Sequence, residues 1–141
     1  MVFVQDNQSM SVKGVLRGFA SASTGRLFLT PCRFSHIFDI KLTAKERMSP
    51  IVIRYPYVQE DSILIFLPEG YRVEGRIFPV SLTTSYGAYN MEVREEGGKL
   101  RIKRSFCLKV GTFPKTDYDK FKDFITKVQL ADRSRLVLVK N

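Results

Sequence analysis

Few side chains in this sequence are of a type that does chemistry. The single histidine, His36, stands four residues after Cys32 and three before Asp39. A thiolate nucleophile needs an imidazole within hydrogen-bond reach and a third group to orient it, and these three could meet in one turn. Neither Cys32 nor His36 lies in a nucleophile motif, however, and catalytic partners usually come from separate elements. The plainer expectation is a buried cysteine behind Pro31 and an exposed or capping histidine. Zinc fares no better. Cys32, His36 and Cys107 are three nitrogen or sulfur ligands, and a structural site wants four in closely spaced pairs.

Other chemistries lack their parts too. No glycine-rich loop leads into a helix, so a phosphate has no backbone cradle. Glu60-Asp61 and Glu95-Glu96 are paired acids, but neighbours in a strand point opposite ways, and both pairs are expected beside turns. A glycosidase dyad would have to be assembled from distant carboxylates. Arg17-Gly18-Phe19-Ala20 opens like an RNA-recognition motif, yet Ser21, Ala22 and Thr24 break the positions that follow. No catalytic, metal or cofactor-binding residue is assigned, and the chain is not expected to be an enzyme. A small hydrolase built on Cys32 remains the outside alternative.

The remaining candidate is a basic stripe, Lys99, Arg101, Lys103 and Arg104, just after Gly97-Gly98. Two glycines supply the positive φ angles of a two-residue hairpin turn. That turn sets Glu96 against Lys99, Arg94 against Arg101 and Glu92 against Lys103 on one face. Val93 then faces Ile102, Met91 faces Arg104 and Tyr89 faces Phe106 on the other. The second face is apolar and therefore inward. Arg101 and Lys103 belong to a solvated face whose charge Glu92 and Glu96 partly offset. Arg101, Lys103 and Arg104 form a weak candidate interaction patch. Arg104 itself falls on the apolar side, where an unpaired guanidinium costs several kcal/mol, on the order of 3–5. It should reach a carboxylate near the start of the helix, Asp117 being one choice, or else read an anionic group in a pocket.

The elements that must position these residues are mostly strands. In the first third, "SVKGVLRGF" alternates like a strand, "SASTG" reads as a turn, and "RLFLT" is a short strand stopped by Pro31. "PIVIRY" and "DSILIF" follow as strands, with a turn at Pro68-Glu69-Gly70 and a new strand from Tyr71. One helix stands out, from Pro114 to Asp132. Tyr118, Phe121, Phe124, Ile125 and Val128 share a face, Thr116 is the candidate N-cap, and Asp123 can pair with Lys127. "RLVLVK" closes the chain as a strand. The fold class is mainly β, an antiparallel, immunoglobulin-like or related β-sandwich with one C-terminal amphipathic helix, forming a single domain over residues 1–141.

The 141 residues suffice for one hydrophobic core. The net charge of +9 is spread along the chain, with no block of like charge that would mark a nucleic-acid tail. No nucleic-acid partner is expected. No stretch approaches the roughly 20 apolar residues needed to span a bilayer, so no membrane insertion is expected of this chain. "VFVQDNQSM" after Met1 lacks the basic and apolar regions of an export signal.

From residue 40 onward the chain resembles one family. "KERMSPIVIRYPYVQEDSILIFLPEGYRVE", "FPVSLTTSYGAYNMEV", "YDKFKDFITKV" and "DRSRLVLVK" follow its order, through Arg47 and Pro50, Leu67-Pro68, Gly70-Tyr71, Gly87 and Tyr89. "IFPVS" stands where the family would have a second Leu-Pro. The family is the uncharacterised β-domain that follows the transglutaminase-like core in bacterial multi-domain cell-envelope proteins. The resemblance implies a C-terminal, non-catalytic accessory or interaction domain whose partner is the upstream core. It also implies a periplasmic or cell-surface location within an exported parent. The family's Cys-His-Asp machinery sits in that core, and Cys32, His36 and Asp39 match none of it. The alternative from another class is an independent module for anionic glycans or polymers, held on Arg101 and Lys103.

Overall fold

The computed structural model describes residues 2–4, 9–11, 13–33 and 40–141, the first two stretches as backbone alone. The strands in chain order are β1 (Val2–Val4), β2 (Ser9–Ser11), β3 (Ala20–Ser23), β4 (Arg26–Leu29), β5 (Ile51–Ile53) and β6 (Tyr57–Phe66). They continue with β7 (Tyr71–Val73), β8 (Val80–Thr83), β9 (Gly87–Glu96), β10 (Lys99–Leu108) and β11 (Gly111–Phe113). A 3-10 turn over Lys115–Asp117 leads into α1 (Tyr118–Asp132), and β12 (Leu136–Lys140) ends the chain. Every strand pairing described is antiparallel, and the fold is mainly β with one C-terminal helix, as the sequence predicts. One four-stranded sheet runs β6-β10-β9-β8 and the other β3-β4-β12-β7; neither closes into a barrel.

The β9–β10 hairpin has the register read from the glycine pair. Glu96 faces Lys99, Val93 faces Ile102 and Tyr89 faces Phe106. Gly97 and Gly98 lie at φ 56° and 75°, the left-handed values that an L side chain resists. Period-two alternation then buries Leu100, Ile102, Arg104 and Phe106 of β10 and leaves Lys99, Arg101 and Lys103 outside. At the far end of the ladder Gly87 is required for a different reason. A Cβ there would stand 1.9 Å from the carbonyl oxygen of Cys107, so only glycine fits.

The helix covers the inner face of this sheet. Tyr118, Phe121, Phe124, Ile125 and Val128 are all buried, and Phe124 stacks on Phe106 with ring centroids 6.1 Å apart. Tyr86 meets Phe121 and Phe113 edge-on at 5.4 and 4.8 Å, pairs worth roughly 0.5–1.5 kcal/mol each beyond their burial. Leu29, Val73 and Leu138 of the second sheet join the same apolar cluster, so both sheets and the helix share one core. Outside, Asp123 and Lys127 form the expected i,i+4 pair at 2.8 Å.

Several local expectations are corrected. Residues 13–16 form no strand, and Val15 and Leu16 are exposed. Glycines at 14 and 18 take every second position of that alternating face and leave it little to bury. The "SASTG" stretch is not only a turn, since Ala20–Ser23 pairs with β4 and the turn falls on Thr24-Gly25. Backbone pairing sustains this strand although its side chains are all exposed. Glu60-Asp61 lies inside the long β6, not beside a turn. Thr116 sits within the 3-10 turn, and α1 begins without a side-chain cap.

Candidate functional site

Two places gather polar side chains, one beneath the β6-β10-β9-β8 sheet and one above it. The inner one centres on Arg104, 2% exposed. Its Nε donates to Asp132 Oδ1 at 2.6 Å and its Nη2 to Asp132 Oδ2 at 2.8 Å, a bidentate fork. Nη1 donates to Asp61 Oδ2 at 2.8 Å. The Tyr89 hydroxyl donates to Asp132 Oδ1 at 2.7 Å, and the guanidinium lies 5.3 Å from the Tyr89 ring centre. The sheet register itself places Asp61, on β6, directly opposite Arg104.

The expected carboxylate near the helix start is thus corrected. Asp117 is not the partner; Asp132, at the other end of α1, is. A carboxylate at a helix C-terminus opposes the helix dipole, and Arg104 offsets that cost. A signal for this was present in the sequence. Tyr118, Phe121, Ile125, Val128 and Asp132 follow at intervals of three, four, three and four, so the acid continues the apolar face.

This cluster holds charge and protons firmly. Burial works against the Arg104 cation, but the hydrogen bonds and charges of Asp132 and Asp61 more than offset it and raise its pKa. Burial, and then the hydrogen bond to Asp132, push the Tyr89 phenol well above its ordinary value. Cys32 lies against the same group, its thiol 3.6 Å from Met91 Sδ. Burial, followed by the negative charge of Asp132, pushes that thiol up to about 11, with Arg104 acting in the opposite sense. A thiol in that state is a poor nucleophile at neutral pH.

Cys107 is on the outer face of β10, on the opposite side of the sheet from Cys32, and both thiols are free. His36 and Asp39 lie outside the described residues. Among the described residues no cluster of His, Cys, Asp and Glu could hold a metal ion, and no helix is long and apolar enough to cross a membrane.

The outer place is a groove of about 700 Å³ across the exposed face of the sheet. Ser105 is flanked by Glu60 and Asn90, and Lys103 by Ser62 and Glu92, all directly across the ladder; Ser81 stands beyond Asn90. Lys103 is therefore part of the groove, while Arg104 contributes to it only from beneath and Arg101 lies one row away. The weak patch of Arg101, Lys103 and Arg104 is divided between the two faces of the sheet. The offsetting acids behave differently from expectation as well. Glu92 accepts from Arg94 on its own strand rather than from Lys103. Among the described residues neither Arg101 nor Lys103 has an ion-pair partner. Beside the groove, β6 exposes Val58, Leu64 and Phe66, and the Lys99 ammonium sits 5.2 Å from the centre of the Phe66 ring.

Comparison with known proteins places the chain by sequence alone. A family model described as "Domain of Unknown Function with solved-structure structure (DUF3858)" matches residues 25–138, well over half of the chain. No curated protein matches, and no solved structure matches.

Proposed function

The chain belongs to the DUF3858 family, and we propose that it serves as a non-catalytic accessory or interaction domain. In this reading it docks on, and helps position, a transglutaminase-like core carried upstream in a bacterial cell-envelope protein. The parent would work in the periplasm or at the cell surface. The observation that carries the reading is the contrast between a sealed interior and an open sheet face. The one described cysteine near other ionisable groups is 3% exposed with its thiol held protonated, which supports a role without nucleophilic catalysis. The accessible features are surfaces: the groove over Ser105 and Lys103, and the apolar side chains of β6 beside it. Surfaces of this kind serve recognition.

The alternative, an anionic glycan or polymer on Arg101 and Lys103, draws support from two cations that lack ion-pair partners. It draws less from the groove, whose lining sets Glu60 and Glu92 against one lysine, Lys103. Titrating the isotope-labelled chain with a separately expressed transglutaminase-like core separates the two readings. Shifts confined to the Val58–Phe66 and Ser81–Lys103 surface are the expected result. A spectrum unmoved by the core but moved by a polyanionic glycan would replace the docking reading with the glycan one.

A further inference from the structure

The two large sheets expose four edges among the described residues, and one is unlike the rest. β8 is four residues long and follows Pro79, β3 is four small residues, and β7 is three residues closed off by turns. β6 runs for ten residues, Tyr57–Phe66, with no proline, glycine, lysine or arginine. Shortness, proline and lysine, which commonly protect an edge, are thus absent; its two charges are Glu60, on the exposed face, and Asp61, which points inward and is neutralised by Arg104.

The direction of its main-chain groups follows from one bond. Leu67 N–H donates to Gly98 C=O at 2.9 Å, which continues the β6–β10 register and makes odd-numbered residues the ones bonded to β10. Val58, Glu60, Ser62, Leu64 and Phe66 therefore aim their N–H and C=O groups at the open edge. Their side chains lie on the exposed face, where Val58 and Phe66 are each 67% exposed and Leu64 46%.

We propose that this edge is filled by β6 of a second copy of the chain. The two β6 strands pair antiparallel about a two-fold axis at Ser62 and join the two four-stranded sheets into one. The register follows from charge and length. With the outward-bonding residues facing each other, the axis must fall on a residue. An axis at Glu60 sets two glutamates face to face, and one at Asp61 does the same with two aspartates. At Ser62 neither clash occurs and the overlap runs over 58–66, all of β6 but Tyr57, whereas axes further along shorten it. Val58 then faces Phe66 of the partner copy, and Glu60 faces its Leu64, so the side chains of the outer face gain cross-strand neighbours.

Two further features fit this arrangement. Arg101 stands across the ladder from Leu64, so Glu60 of the partner copy comes into the same row two strands over. That is about 10 Å at the usual strand spacing, within reach of two long side chains, and it gives Arg101 the counter-charge its own chain does not supply. The edge strand itself carries Glu60 and Asp61 and no cation, while Lys99, Arg101 and Lys103 stand one strand in, on β10.

Sedimentation of the 141-residue chain from about 1 µM to about 1 mM should show a reversible monomer–dimer equilibrium, the weak range expected of a small interface. Ser62→Pro removes an N–H that points at the partner and spares the β6–β10 bonds; it should leave the chain monomeric with an unchanged circular dichroism spectrum. Glu60→Arg, which should fold normally, brings a like charge into the row of Arg101 and should weaken the dimer at least tenfold. In a Cys107→Ala background, Ser62→Cys should cross-link the two copies and Leu64→Cys should not. A chain that stays monomeric at the highest concentration overturns the proposal and leaves the edge to an extended segment of a different protein. So does a dimer indifferent to Glu60→Arg, or one that cross-links at 64 and not at 62. The core titration above is a separate experiment, and either idea can fail without the other.

Discussion

Lys103 and Arg104 are consecutive residues of one strand, both cationic, and their surroundings have almost nothing in common. Lys103 stands in an open groove with a serine on one side and a glutamate on the other, paired with neither. Arg104 is buried under the sheet and held by two carboxylates from two other elements. A basic stripe in a β-strand is thus two populations, because the pleat sends alternate side chains to opposite faces. The outer population is free to meet a partner. The inner one ties β6, β10 and the end of α1 together and is committed to the fold.

Removing the inner charge should have the largest effect. Arg104→Met leaves Asp132 buried beside a tyrosine hydroxyl without its counter-ion, and we expect a loss of about 3–5 kcal/mol in urea unfolding. Replacing Asp132 with leucine in the same chain should recover a good part of that, since the uncompensated charge, rather than the missing ion pair, is the main cost. If the double variant is no more stable than the single one, the pair contributes more than its desolvation penalty and the comparison must be redrawn.

A smaller effect should appear at high pH. The Cys32 thiol titrates near 11 in the folded chain against 9.0 for the free group, and Tyr89 is shifted upward too. Between the two cysteine values the unfolded chain has lost a proton that the folded chain keeps, so stability is full below about pH 9 and falls as pH rises through 11. The contribution from Cys32 is on the order of 2 kcal/mol, and Cys32→Ala should flatten the decline measured by urea unfolding at stepped pH. Alkylation of the native chain near pH 8 should mark Cys107 well before Cys32.

The smallest effect belongs to the outer face. Lys103→Ala or Arg101→Ala should shift stability by no more than about 0.5 kcal/mol. A loss approaching that of Arg104→Met would mean that these side chains hold a partner inside the chain, and the division into two faces would be lost.

Much of this was readable in the residues. Gly97-Gly98 determined the hairpin and its register, because a two-residue turn leaves the flanking strands no other way to align. The inward face of β10, the buried side of α1 and the closing strand followed from periods of two and 3.6, which depend only on local geometry. The odd position of Arg104 on an apolar face was visible for the same reason. The short early segments were read less well. Val15 and Leu16 look like part of a strand in isolation, but whether a strand forms depends on a partner that local alternation does not specify.

The tertiary structure alone decided who meets whom. Asp61 faces Arg104 because β6 is the second neighbour of β10, a pairing set by chain topology and not by either strand's own pattern. Asp132 reaches the same guanidinium because α1 packs on the inner face of the sheet with its last turn beneath that row. The sequence marked both ends of that contact, an arginine and an aspartate each interrupting an apolar face. It could not join them, since a separation of 28 positions along the chain constrains distance weakly and the packed core fixes it. The same holds for β6. Its composition marks a strand fit for pairing, but only the order of strands in the sheet leaves one of its sides open.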